Sequence, residues 1–333
     1  MKKYLVGLKK ILAVSFAIIL GLCGFTGCSP KGESLDGKKI IFIGNSYTYY
    51  GQTVLEKTQK VLKQEDRMHD KGYFYQLCQD NGMNVDVTNW TFGGHSLEWL
   101  FGGNCAAKRG CDGVDHASYL TDKNYDYVVI QSGNGQRLDE VGVNNIERVM
   151  DFFKEGNPNT KFVLLIPYSF YGKIGSSGNI YLMKNTLNSL KTFASKGVII
   201  VDWGGLVTDI LDGKVQVPNA TQEYTKNTFV VSKDNYHPSV LSGYITTLMT
   251  YCAITGEKAQ GKTYDFCNDP ELRDPETSEF FNFRQFEMKY YTGGTTGSTN
   301  FDEVFASEND MKGIQKLIDK YLSAKAYKKY NFN

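Results

Sequence analysis

Lys39-Ile40-Ile41-Phe42-Ile43-Gly44-Asn45-Ser46-Tyr47-Thr48 is a short apolar run that breaks into residues favouring a turn. Similar runs recur at 84–90, 125–131, 161–167 and 197–203, and each reads as a strand, like 39–43. Helix-like stretches lie between them at 53–64, 141–155, 181–195 and 206–211, and a further one follows at 240–255. Strands alternating with helices are the signature of a parallel sheet covered by helices. The expected fold is therefore α/β, with a central parallel sheet of about five strands covered by helices.

In such a sheet the ligand crevice lies outside the carboxyl ends of the strands. Ser46 follows the first strand at that edge, Gly93-Gly94 the second, and Ser132-Gly133-Asn134 the third. Far downstream, Asp234-Asn235-Tyr236-His237-Pro238 places a carboxylate three residues before an imidazole. A serine hydroxyl is a weak nucleophile, so it needs a base to take its proton and a third group to fix that base's tautomer. Ser46, His237 and Asp234 supply those three parts. If the last two share a turn, the carboxylate reaches the imidazole Nδ1–H and leaves Nε2 for the serine. Singly, the motifs have plainer explanations: Gly-Asn-Ser is common turn chemistry, and Asp-x-x-His-Pro could open a helix with Pro238 at its first position. Their order along the chain and their place at strand ends favour the catalytic reading.

The chain has 333 residues, enough for one large domain or two small ones. It opens with Lys2, Lys3, Lys9 and Lys10, then an uncharged stretch from 11 to 27, then Cys28-Ser29-Pro30, which is the layout of a secretion signal. Phe25-Thr26-Gly27-Cys28 resembles the bacterial lipobox, which implies cleavage before Cys28 and acylation of its thiol. An uncleaved anchor is the alternative, and either one leaves the domain outside the cell, on the outer face of the cytoplasmic membrane or the cell surface. Of the 37 basic residues, removing 1–27 takes four and no acid, leaving 33 against 36 acidic ones and a charge of −3. On that balance no nucleic-acid partner is expected. Cys78, Cys105, Cys111, Cys252 and Cys267 remain, an odd number, and a disulfide could close the short loop between Cys105 and Cys111. With no Cys-x-x-Cys, no His-Glu-x-x-His and only four scattered histidines, no metal site is expected.

From about Lys38 to Thr255 the chain resembles the SGNH (GDSL-like) hydrolase family, named for a serine, a glycine, an asparagine and a histidine in four blocks. Gly44-Asn45-Ser46-Tyr47-Thr48 matches the first, with Asn where many members have Asp. Asn89-Trp90-Thr91-Phe92-Gly93-Gly94-His95-Ser96 resembles the second, Ser132-Gly133-Asn134 the third with its glycine displaced by one, and Asp234-Asn235-Tyr236-His237-Pro238 the fourth. The resemblance implies a three-layer α/β/α fold of flavodoxin-like arrangement and acyl-ester hydrolysis without metal or other cofactor: Ser46 attacks, His237 moves the proton and Asp234 orients the imidazole. The oxyanion donors would be the N–H groups of Ser46 and Gly94 and the side-chain amide of Asn134, with Gly93 and Gln131 as alternates. The implied organisation is a signal peptide at 1–27, a linker at 28–37 after lipidated Cys28, a hydrolase domain at 38–256 and a C-terminal extension at 257–333 packing on it. The implied activity is that of an envelope esterase acting on a small ester or acylated glycan, with O-acetyl groups on carbohydrate foremost. The alternative is a glycan-binding lipoprotein that has lost its chemistry on the same scaffold.

Tyr47, Tyr49, Tyr50, Trp90, Trp99, Tyr168 and Tyr236 fall near the expected active edge, as a sugar-stacking rim or simply as core. His95 reads as a polar loop residue or a pocket lining, and His69 and His116 as solvated. Gly256-Glu257-Lys258-Ala259-Gln260-Gly261-Lys262-Thr263 matches the P-loop pattern literally, but a helix precedes it and none follows, so it is rejected as a phosphate cradle. The Gly-x-Ser-x-Gly elbow of α/β-hydrolases is absent.

Overall fold

The computed structural model describes residues 32–55, 57, 62–102, 114–131, 140–168, 182–230, 237–268 and 308–324. Five short runs form one sheet: β1 (Lys39–Gly44), β2 (Asp86–Thr91), β3 (Tyr127–Gln131), β4 (Lys161–Leu165) and β5 (Ile199–Val201). Their order is β2-β1-β3-β4-β5 and every neighbouring pair is parallel. The expected three-layer fold is therefore the one observed. Consecutive strands run outward from β1 on one side and from β3 on the other, so the direction of winding reverses between them. That reversal opens a crevice at the carboxyl ends of β1 and β3. Ile43 lies opposite both Trp90 and Ile130, and this register brings the three strand ends level.

The strands read as continuous apolar runs because both faces are covered. Ile40, Phe42, Tyr127, Val129, Val163 and Leu165 face one helical layer, formed by α2 (Tyr73–Asp80), α6 (Trp203–Leu211), α8 (Val240–Thr255) and α9 (Glu308–Ser323). Ile41, Ile43, Val128, Ile130 and Leu164 face the other, formed by α3 (Leu97–Phe101), α4 (Glu140–Gly156) and α5 (Leu182–Ser195). Two short helices, α1 (Ser46–Tyr49) and α7 (Lys226–Phe229), lie in the loops at the crevice edge.

The helix expected at 53–64 is not there at its described residues; 53–55, 57, 62 and 63 are non-helical, and a 3-10 turn follows at Gln64–Arg67. The backbone is bonded elsewhere. Tyr73 and Phe74 N–H donate to the carbonyls of Gln52 (2.8 Å) and Thr53 (3.1 Å), and the Asp70 carboxylate accepts from Leu55 N–H (3.0 Å) and Gly72 N–H (2.8 Å). Segment 52–55 thus caps α2, a helix the sequence pattern left unmarked.

Helix α8 is buried on almost every side although it carries Ser242, Thr246, Thr247, Thr250 and Thr255. Thr246, Thr250 and Thr255 return their hydroxyl protons to carbonyls one turn back, at 2.8, 2.7 and 2.9 Å, so those groups enter the core already satisfied. Ser239 caps its start by accepting from Ser242 N–H, and Gly256 ends it at a φ of +69°. Glycine also lets α8 touch the segment that follows Ser46: a Cβ on Gly243 would lie 1.5 Å from the carbonyl oxygen of Gly51. Among the described residues no helix is long and apolar enough to cross a membrane.

Candidate active site

Gly44 ends β1, and Asn45 turns the chain into α1 by accepting the Tyr47 N–H on its side-chain oxygen at 3.1 Å. Ser46 is therefore the first residue of the helix, where backbone N–H groups have no partner within the helix itself. On the far side of the crevice, Pro238 forms an isolated antiparallel bridge with Val230, and Ser239 N–H donates to Phe229 at 3.0 Å. Those two contacts hold His237 just ahead of α8. Its Nε2 lies 2.8 Å from Ser46 Oγ, across 191 residues of sequence. That is within reach for proton transfer. Ser46 and His237 are 8% and 6% exposed, so the pair is shielded but open to a small reactant at its edge.

The ring of Tyr50 lies flat on the imidazole, with centroids 3.6 Å apart and planes at 16°, and Tyr47 approaches from another side at 5.8 Å. Tyr50 N–H donates to Ser46 C=O at 2.9 Å, so a single helical turn carries both the Ser46 hydroxyl and the ring stacked on the His237 imidazole.

After β2 the chain makes a turn in which His95 N–H returns to Phe92 C=O at 3.2 Å. Gly94, at a φ of +73°, occupies the third position, which in a type II turn calls for glycine. Its N–H has no hydrogen-bond partner among the described residues, and neither has that of Ser46. Gly93 takes the second position of the same turn. Gln131 closes β3 fully buried, and neither its amide oxygen nor its amide nitrogen has a hydrogen-bond partner among the described residues. Its stem lies beside Gly44, as does the Thr48 hydroxyl. Asp234, Asn134, Cys28, Cys105 and Cys111 lie outside the described residues.

A buried polar cluster braces the second loop. The Arg67 guanidinium is wholly buried, donates to Thr91 C=O at 2.9 Å and lies 3.9 Å from the centre of the Phe92 ring; burial pushes it down to about 9. Next to it, burial pushes Asp70 up to about 6, against the opposing pull of Lys57, the N–H groups of Gly72 and Leu55, and Asn89. No residue pattern in the sequence marks Arg67, because an arginine in the polar run 64–67 reads as surface.

Most of the expected aromatic rim is core. Tyr47 and Tyr49 on α1, Trp90 in β2 and Tyr168 beyond β4 are all buried. Tyr50 and Trp99 remain partly exposed, and Tyr236 lies outside the described residues. His69 is solvated, with its side chain 75% exposed. His116 is not. It is buried and stacks on Trp99 at 3.5 Å, with His95 against the same indole at 3.8 Å. The P-loop lookalike is spent on the protein itself: Gly256 caps α8, Ala259 and Gln260 N–H donate to the Asp319 carboxylate at 2.6 and 3.3 Å, and Gly261 N–H donates to Gln315 at 3.0 Å. Cys78 and Cys252 are buried thiols pushed up to about 12 by burial, and Cys267 is buried as well. Among the described residues no three His, Cys, Asp or Glu side chains converge as metal ligands would.

No known family's sequence profile matches the chain, and no curated protein matches it. Solved structures do. The acetylxylan esterase Axe2 of Geobacillus stearothermophilus is 17% identical, over 67% of this chain and 96% of that one, with a TM-score of 0.41. A GDSL-like lipase from Parabacteroides merdae is 18% identical over 68% and 99%, with a TM-score of 0.43. LAE5, an alpha/beta hydrolase from a Lake Arreo metagenome, is 16% identical over 66% and 96%, with a TM-score of 0.41. At such distances the chemistry of this site rests on its own residues.

Proposed function

We propose that this chain is a serine esterase of the SGNH type that removes short acyl groups, O-acetyl foremost, from carbohydrate esters. The observation that carries the reading is the 2.8 Å contact between Ser46 Oγ and His237 Nε2 at the switch point of a doubly wound sheet. Ser46 Oγ attacks the ester carbonyl while His237 takes its proton. The oxyanion is received by the Ser46 and Gly94 N–H groups and by a third donor, Asn134 or Gln131. His237 then protonates the departing alkoxide, and water, activated by the same imidazole, releases the acid from Ser46. Asp234 orients the Nδ1–H. The four sequence blocks support the reaction class; the carbohydrate ester as substrate is supported by the expected location and the habit of the family, and two partly exposed rings, Tyr50 and Trp99, lie close to where it would dock.

Ser46→Ala and His237→Ala are each expected to lower kcat on p-nitrophenyl acetate by about 10³-fold or more, the scale of loss when a nucleophile or its base is removed. Full activity in either variant would end the assignment. An inert wild type that nevertheless retains polysaccharide in a pull-down would favour the binding-protein alternative.

The leader belongs to the same proposal: export, cleavage and lipidation at Cys28 would hold the enzyme at the outer face of the membrane. In cell fractionation, Cys28→Ala is expected to move the protein out of the lipidated membrane fraction. A variant distributed and lipidated like the wild type would refute the anchor.

A further inference from the structure

We infer that Asn45 is a positioning residue that sets the spacing between the two backbone oxyanion donors, an inference resting on the esterase reading above. Its side-chain amide works at both ends. The oxygen accepts Tyr47 N–H at 3.1 Å and so fixes the start of α1, while the nitrogen donates to the carbonyl of His95 at 3.1 Å. Asn45 directly precedes Ser46, and His95 directly follows Gly94. One planar group therefore spans the crevice edge between the loops carrying the two N–H donors, attached one residue away from each.

The turn that holds Gly94 is tied to the sheet at its other end, where Phe92 N–H donates to Gly44 C=O at 3.0 Å. Asn45 holds the end beyond Gly94. The turn's own bond from His95 N–H to Phe92 C=O and the contact of the His95 ring with Trp99 act on the same end, and neither of these two refers it to the nucleophile loop. Two donors must meet one oxygen at about 2.7–3.1 Å, and a displacement on the order of 1 Å in a reacting geometry can cost about 100-fold in rate.

Many members of the family that the chain resembles carry Asp here, but the pairing of this side chain with a backbone carbonyl selects another residue type. It requires an acceptor and a donor on one short rigid side chain. An aspartate offers acceptors only and would set a negative oxygen against the His95 carbonyl, and a serine is too short to reach both partners. Both are nevertheless good helix N-caps, which separates bridging from capping. If Asn45 is only a cap, either substitution leaves the enzyme as it was.

The test compares wild type, Asn45→Asp and Asn45→Ser as full chains. The measurements are kcat and KM on p-nitrophenyl acetate, affinity for phenylboronic acid, which forms a tetrahedral adduct on an activated serine, and melting temperature. Asn45→Asp is expected to lose about 10- to 100-fold in kcat with KM within about twofold, because the lost interaction is made in the transition state. Boronate affinity should fall in parallel while the melting temperature stays close to wild type, and Asn45→Ser should show the same pattern. Wild-type kcat and boronate affinity in both variants would overturn the inference alone, with the esterase reading intact. So would losses of activity that merely track losses of melting temperature. A wild type that turns over no ester would remove the esterase reading and this inference together.

Discussion

Asp70 is a carboxylate with no exposure to water, held by Leu55 and Gly72 N–H and close to the Asn89 amide. Burial raises it to about 6 from an ordinary value near 3.8. Between those two values the folded chain keeps a proton that the unfolded chain has released. The stability from this group is therefore complete below about 4 and is lost as pH rises through about 6. Asp70→Asn removes the titration, so the difference in urea unfolding free energy between wild type and variant should change between pH 4 and 6.5 and be flat above. A difference constant over that range would refute the account. At this scale the sequence was legible where chemistry dictates residue type: Ser46 and His237 stood out because few side chains can act as nucleophile and base, and they do meet. Arg67, Asp70 and the second bond of Asn45 were not legible, since each depends on which backbone carbonyl or N–H the fold brings near.

The touching of α8 and the 51–53 segment decides how far His237 stands from Ser46, since one element follows the histidine and the other follows the serine. On helix propensity alone, Gly243→Ala should stabilise α8 by about 1 kcal/mol. Contact opposes this. The new Cβ would sit 1.5 Å from the Gly51 oxygen and 2.2 Å from its carbonyl carbon, and backbone atoms cannot swing aside as a side chain can. Overpacking of this kind costs about 1–3 kcal/mol or more, so contact wins. Gly243→Ala is expected to lower the melting temperature and to reduce kcat more than it changes KM; a more stable variant would show that the two backbones do not touch. The continuous apolar stretches of β1 and α8 and the helical apolar spacing of α4 were readable within a residue or two. Segment 53–64 misled because its spacing suits a helix, while at 52–55 the backbone serves the start of α2. The apolar spacing of Tyr73, Phe74, Leu77 and Cys78 was present but too short to stand out.

The whole molecule is closed by α9, whose Met311, Ile314, Leu317, Ile318 and Tyr321 are buried on the same helical layer as α8. Polar contacts fix it at several points. Asp310 accepts from Thr221 N–H at 3.1 Å and from the Tyr224 hydroxyl at 3.0 Å, Gln315 donates to the Tyr244 hydroxyl at 3.0 Å, and the Tyr321 hydroxyl donates to Asp202 at 3.0 Å. The α/β architecture was legible from strand–helix alternation alone, because a parallel sheet requires crossovers. The way α9 seats itself was not, since its partners are single polar atoms scattered from 202 to 261. This seating has a consequence for biosynthesis. A ribosome lays down the sheet first and the strap that seals it last, so one greasy flank of the nascent polypeptide stays wet until residues 308–324 have emerged. Until that moment the flank is open to the solvent and to holdases, and the packing of this helical layer waits for residues 308–324.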